Sequence, residues 1–131
     1  MMDLGWYLTL NKPIFTPPSW LFAPVWSVLY ILIAVSFFLV WKKGFKKKHV
    51  KNALKLFVIQ FILNLSWSPI FFGLKNISLA LIVIIIMWVY ILKTILAFGK
   101  VTKTASYLLY PYIVWVSFAA VLNFSIWLLN K

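Results

Sequence analysis

The side chains able to do acid–base, nucleophilic or metal chemistry are nearly absent from this chain. Its 131 residues hold one acid, Asp3, one histidine, His49, and no cysteine. General acid–base work needs a second titratable partner, and a zinc site needs three or four protein ligands. Ser19, Ser66 and Ser117 have no base to activate them, so hydrolase and metal-enzyme chemistry are excluded. What remains is aromatic and amide chemistry placed inside apolar runs. Trp26 and Tyr30 stand four apart; Gln60, Asn64, Trp67 and Phe71 fall on one helical stripe, as do Trp115, Ala119 and Asn123. A tryptophan beside a small alanine makes a slot for a flat apolar ligand, and amides facing inward can fix its edge or join helices. Gln60 and Asn64 read partly as interhelical hydrogen-bonding groups, and Asn123 as a partner for Asn64 across the bundle.

Those stripes need long helices to carry them. The chain is 65% hydrophobic and 11% charged, with mean hydropathy +1.01, which makes it an integral membrane protein. Its fold class is all-α: one domain spanning 1–131, a transmembrane helix bundle with spans near 20–41, 54–73, 77–98 and 105–129 behind an aromatic, proline-rich loop over 1–19. Gly44, Gly73 and Gly99 each come just after an apolar run. Short linkers predict antiparallel neighbours. Pro69 should loosen the end of the second span and Pro111 should kink the fourth. The third span is almost wholly Ile, Val and Leu apart from Trp88, Tyr90 and Lys93, and reads as a wall facing lipid or another subunit.

The net charge of +12 comes from lysines lying between the apolar runs, which face anionic lipid head groups rather than nucleic acid. Lys42, Lys43, Lys46, Lys47, Lys48, Lys51 and Lys55 crowd the first linker, and Lys93, Lys100 and Lys103 the third. Only Lys12, Lys75 and Lys131 lie on the other side. The basic 42–55 loop is therefore expected in the cytoplasm and both termini outside, with a bacterial inner (plasma) membrane as the setting. Trp41 beside Lys42 reads as an interfacial residue, and Lys93 as one that snorkels.

Three motifs then appear in order. The first is Trp6-Tyr7, Leu10, Lys12-Pro13, Pro17-Pro18, Pro24, Trp26 and Leu29-Tyr30. The second is Leu63-Asn64, Trp67, Pro69 and Phe71-Phe72-Gly73, and the third is Pro111-Tyr112, Trp115, Phe118-Ala119 and Leu122-Asn123. Together they resemble the TspO/MBR family of tryptophan-rich sensory and translocator (peripheral benzodiazepine receptor) proteins. The resemblance implies a helical membrane protein whose pocket opens toward the first loop and takes porphyrins. Some bacterial relatives promote light-dependent breakdown of protoporphyrin IX; eukaryotic ones bind cholesterol and benzodiazepine-type drugs. Carried over by motif, Tyr7, Pro17 and Pro18 would form a lid. Trp26, Tyr30, Asn64, Trp67, Trp115 and Ala119 would line the pocket, with Trp26 and Trp115 in a photochemical role. The porphyrin would be ligand or substrate, with no further cofactor and no metal, and the expected partners are the lipid bilayer and a second copy in a homodimer.

The resemblance implies five spans, of which the one ahead of Trp6 is expected to be lacking here. The family's cholesterol consensus is also unmatched near the chain end, where Phe124 replaces the tyrosine, so cholesterol binding is not expected. The chain is thus expected to be a porphyrin-binding membrane protein. Lys12 and backbone N–H groups near 13–19 are candidates to meet the propionates. The alternatives are a small transporter, disfavoured because no span holds a carboxylate, and a scaffold without turnover.

Overall fold

The computed structural model describes residues 10–12 and 21–130, and in them four helical stretches are long and apolar enough to cross a bilayer: Ala23–Trp41, Lys48–Gly73, Ile77–Gly99 and Lys103–Asn130. Their helices are α1 (Phe22–Trp41), α2 (Lys48–Ser68) continued by a π-turn (Pro69–Gly73), α3 (Ile77–Gly99), a short α4 (Lys103–Leu108) and α5 (Tyr110–Asn130). The fold class is as the hydropathy predicts. Tyr7, Pro17 and Pro18 lie outside the described residues.

The largest shift from the expected boundaries is in the second span, which starts at Lys48 rather than near 54. Nothing in 48–53 breaks a helix, so the lysine-rich run folds as its first turns. At 26 residues this span is about 39 Å long at a rise of 1.5 Å per residue, against an apolar core of about 30 Å. Its extra length places Lys48, Lys51 and Lys55 at or beyond the interface. The remaining turn is short and closes at Gly44, whose φ of +111° only glycine adopts without strain.

Both helix-interior prolines act where expected, in distinct ways. Pro69 has no N–H to give the helix, and the ladder widens behind it: Leu74 N donates to Pro69 O at 2.9 Å. Pro111 leaves a break rather than a smooth kink, since α4 ends at Leu108 and α5 begins at Tyr110. Lys93 is exposed with its ammonium 5.1 Å from the Tyr90 ring centroid, and Trp41 is exposed and stacked on Phe45 at 4.7 Å.

The third span is not an outer wall. Helix α3 is the packing centre, running against α2, α4 and α5, with Ala80, Ile84, Met87, Ile91, Thr94, Ile95 and Phe98 buried along one face. An all-aliphatic sequence looks the same to a hydropathy reading whether its neighbour is lipid or protein; only packing separates the two. Its other face, with Ile82, Ile85 and Leu96, stays exposed. Helix α1 packs mainly on α4 and α2, pinned by Ser36 Oγ donating to Ala105 O at 2.7 Å. It touches α5 only lightly, and the backbones of α2 and α5 stand apart. That separation opens the interior at the end of the bundle away from the lysine-rich turn.

Candidate functional site

A cavity of about 340 Å³ fills this opening, toward the low end of the range of about 300–1,000 Å³ typical of small-ligand sites. Helix α1 contributes Ala23, Trp26 and Tyr30 to its wall, one face at i, i+3 and i+7. Helix α2 and its π-turn contribute Asn64, Trp67, Phe71 and Phe72 among others. From α3 come Ile84 and Met87, and from α5 come Trp115, Phe118, Ala119, Leu122, Asn123 and Ile126. Every sequence-predicted pocket residue within the described region, namely Trp26, Tyr30, Asn64, Trp67, Trp115 and Ala119, therefore borders one space.

The π-turn matters to this geometry. Widening the turn by one residue after Ser68 rotates the side chains beyond it about the helix axis, so Phe71 and Phe72 both turn inward and are nearly fully buried. Trp67 stacks on Phe71 at 5.1 Å and meets Phe72 edge-on at 6.0 Å. Trp26 lies 5.6 Å from Tyr30 and edge-on to Tyr112 at 6.4 Å, and Trp115 lies 5.6 Å from Phe118. The wall is thus a set of aromatic faces held by other aromatics.

The amides do not pair with each other as expected. Asn64 accepts from Tyr30 Oη and donates to Tyr112 Oη, both at 2.7 Å, and Tyr112 in turn donates to Gln60 Oε1 at 2.7 Å. Asn123 instead accepts from Trp67 Nε1 at 3.1 Å and donates to Ile77 O at 3.3 Å. The two asparagines belong to separate clamps because each has a nearer partner on a facing helix. One clamp ties α1, α2 and α5; the other ties α2, α3 and α5. Gln60 and Asn64 do join helices, as their inward stripe implies, and Asn64 also faces the cavity.

Sequence reasoning underrated Tyr112, the hub of the first clamp. It is fully buried, and its position on the Val116–Ala119–Asn123 stripe of α5 is the signal that could have found it. Ile84 and Met87 were missed because nothing in an aliphatic run marks the turn that meets a cavity.

No His, Cys, Asp, Glu or Lys is among the described residues that border the cavity. No group of three His, Cys, Asp or Glu residues converges among the described residues, and His49 is exposed at the far end. At the cavity end, the Asn11 backbone is clipped to α5: Asn130 Oδ1 accepts from Asn11 N at 3.1 Å, and Asn130 Nδ2 donates to Asn11 O at 2.8 Å. Residues 10–12 therefore lie at the end of the bundle where the cavity opens. Lys12 Nζ donates to Leu10 O at 3.2 Å there.

The TspO/MBR family model matches residues 1–128 of the chain. Among characterised relatives, the tryptophan-rich protein TspO of Chlorobaculum tepidum is 47% identical over 125 residues, 95% of this chain and 79% of that protein. The protein CrtK of Rhodobacter capsulatus is 36% identical over 96% of this chain and 79% of its own length. The translocator protein of Homo sapiens is 39% identical over 95% of this chain and 74% of its own.

Proposed function

The chain belongs to the TspO/MBR family, and we propose that it binds porphyrins or related tetrapyrroles in the cavity between α1, α2, α3 and α5. One observation carries this reading above the others. Trp26, Tyr30, Asn64, Trp67, Trp115 and Ala119, drawn from three helices, border a single apolar space with a polar edge at Tyr30 and Asn64. Aromatic faces with a few placed polar groups suit a flat apolar ring. A ligand as large as a tetrapyrrole would fill the described cavity and extend beyond it, toward Lys12.

Any turnover is photochemical in this reading. The bound porphyrin absorbs the light, dissolved dioxygen is the oxidant, and Trp26 and Trp115 act as electron donors or quenchers. The absence of any acid other than Asp3 weighs against proton-coupled transport. Positive-inside bias supports a plasma-membrane protein of a bacterium with the lysine-rich turn in the cytoplasm, both termini outside and the cavity opening away from the cytoplasm. A homodimer belongs to the same proposal, with the exposed apolar faces of α1 and α3 shared between lipid and a second copy.

The test is a protoporphyrin IX titration of the detergent-purified chain, following tryptophan quenching in the dark and the porphyrin bands in light. Saturable dark binding, weakened at least tenfold by Trp26→Ala and by Trp115→Ala, is expected. Unchanged binding in both variants refutes the site. Loss of the porphyrin bands in light no faster than in a protein-free control refutes turnover and leaves a binding protein.

A further inference from the structure

Four side chains form a hydrogen-bond chain that runs in one direction from the cavity wall into the core. Tyr30 donates to Asn64, Asn64 to Tyr112 and Tyr112 to Gln60, each link 2.7 Å long. Tyr30 and Asn64 border the cavity; Tyr112 and Gln60 do not. The chain ends badly. Gln60 is 1% exposed, and its Nε2 has no hydrogen-bond partner among the described residues.

Every link can run the other way. A phenol both donates and accepts, and a half-turn of an amide exchanges its oxygen for its nitrogen. Reversed, Gln60 Nε2 donates to Tyr112, Tyr112 to Asn64 and Asn64 to Tyr30. The interior links are equivalent in the two directions, so only the ends decide. Reversal gives one of the two buried Gln60 N–H groups a partner at the expense of its carbonyl, and a buried under-satisfied carbonyl is better tolerated than an orphan N–H. At the other end, the Tyr30 hydroxyl now accepts from Asn64 and turns its proton to the cavity. In an apolar cavity that proton needs an acceptor, which a ligand can bring.

We propose that Gln60 is a remote specificity-determining residue: through Tyr112 and Asn64 it sets whether Tyr30 offers the cavity a lone pair or a proton, and an apolar ligand with a hydrogen-bond acceptor at that edge reverses the chain. The proposal rests on the cavity being a ligand site, and it does not require the ligand to be a porphyrin. The chemical class it selects is a flat apolar ring carrying a carbonyl, carboxylate or similar acceptor at its Tyr30 edge. Gln60 acts here as a positioning residue, without touching the ligand.

Gln60 is the sole glutamine of the chain, so glutamine-selective nitrogen-15 labelling gives one side-chain amide signal. The probes are 9-fluorenone and fluorene, flat tricycles of nearly the same shape, of which only the first carries a carbonyl acceptor. In the full chain in detergent, fluorenone is expected to move a Gln60 side-chain proton downfield saturably, while fluorene leaves it in place. Fluorenone should also bind about fivefold more tightly than fluorene, the worth of one ordinary net hydrogen bond. Tyr30→Phe should abolish both the preference and the shift. Tyr112→Phe should keep fluorenone binding, read by tryptophan quenching, and abolish the Gln60 shift.

Fluorenone saturation with an unmoved Gln60 signal overturns the proposal. So does equal affinity for the two probes, or failure of both to bind. Protoporphyrin IX is titrated in parallel: porphyrin binding without a fluorenone response leaves the porphyrin site standing and removes the polarity control. A fluorenone response without porphyrin binding does the reverse.

Discussion

Replacing Asn64 by alanine removes a junction that three helices share. Its carbonyl holds Tyr30 of α1 and its amide holds Tyr112 of α5, each at 2.7 Å, while the residue itself is buried on α2. Interhelical hydrogen bonds in membrane proteins are worth about 0.6 kcal/mol on average and up to about 1.7 kcal/mol, so losing two costs about 1.2 and at most about 3.4 kcal/mol. The lower half of that range is expected. Tyr112 keeps its bond to Gln60, so only the Tyr30 hydroxyl is stranded. Reversible unfolding of the purified chain by SDS in mixed micelles measures the loss. Tyr30→Phe should cost about half as much, and the two changes together should cost less than their sum by about 0.6 kcal/mol, because they share one bond. The lipid-facing Ile62→Ala, at a position 60% exposed, serves as control. If Asn64→Ala falls within about 0.3 kcal/mol of that control and the double variant is additive, the clamp does not hold the bundle together.

The same geometry sets three further outcomes. Ala119→Leu adds three carbons to the cavity wall beside Trp115; protoporphyrin IX affinity should fall at least tenfold while the SDS unfolding midpoint stays near the parent's. Full affinity there would place the ligand elsewhere. Gly44→Ala forces an L-residue to φ +111° and should destabilise the chain by about 1–2 kcal/mol in the same unfolding assay, although a methyl group there meets only the Lys47 side chain at 3.5 Å or more. Because the chain has no cysteine, Lys46→Cys and Lys75→Cys each carry a single thiol. An impermeant maleimide applied to intact bacterial cells should label the second and spare the first; the opposite pattern inverts the proposed topology.

The four spans were legible because hydropathy over twenty residues responds only to apolar mass, which this sequence supplies in separate runs. The inward stripes on α2 and α5 were legible for a related reason: an amide or indole cannot face hydrocarbon without cost, so Gln60, Asn64, Trp67 and Trp115 had to turn toward protein.

Only the tertiary structure decided which partners those stripes meet. The pairing of Trp67 with Asn123, and of Asn64 with Tyr30 and Tyr112, depends on the axial register of facing helices, which side-chain periodicity does not encode. The central place of α3 was hidden because its aliphatic residues are equally at home in lipid and in a core. The inward turn of both Phe71 and Phe72 required the one-residue widening after Ser68. Periodicity fixes the direction of a side chain about its own helix; what it touches is fixed by how far that helix slides and leans against the next.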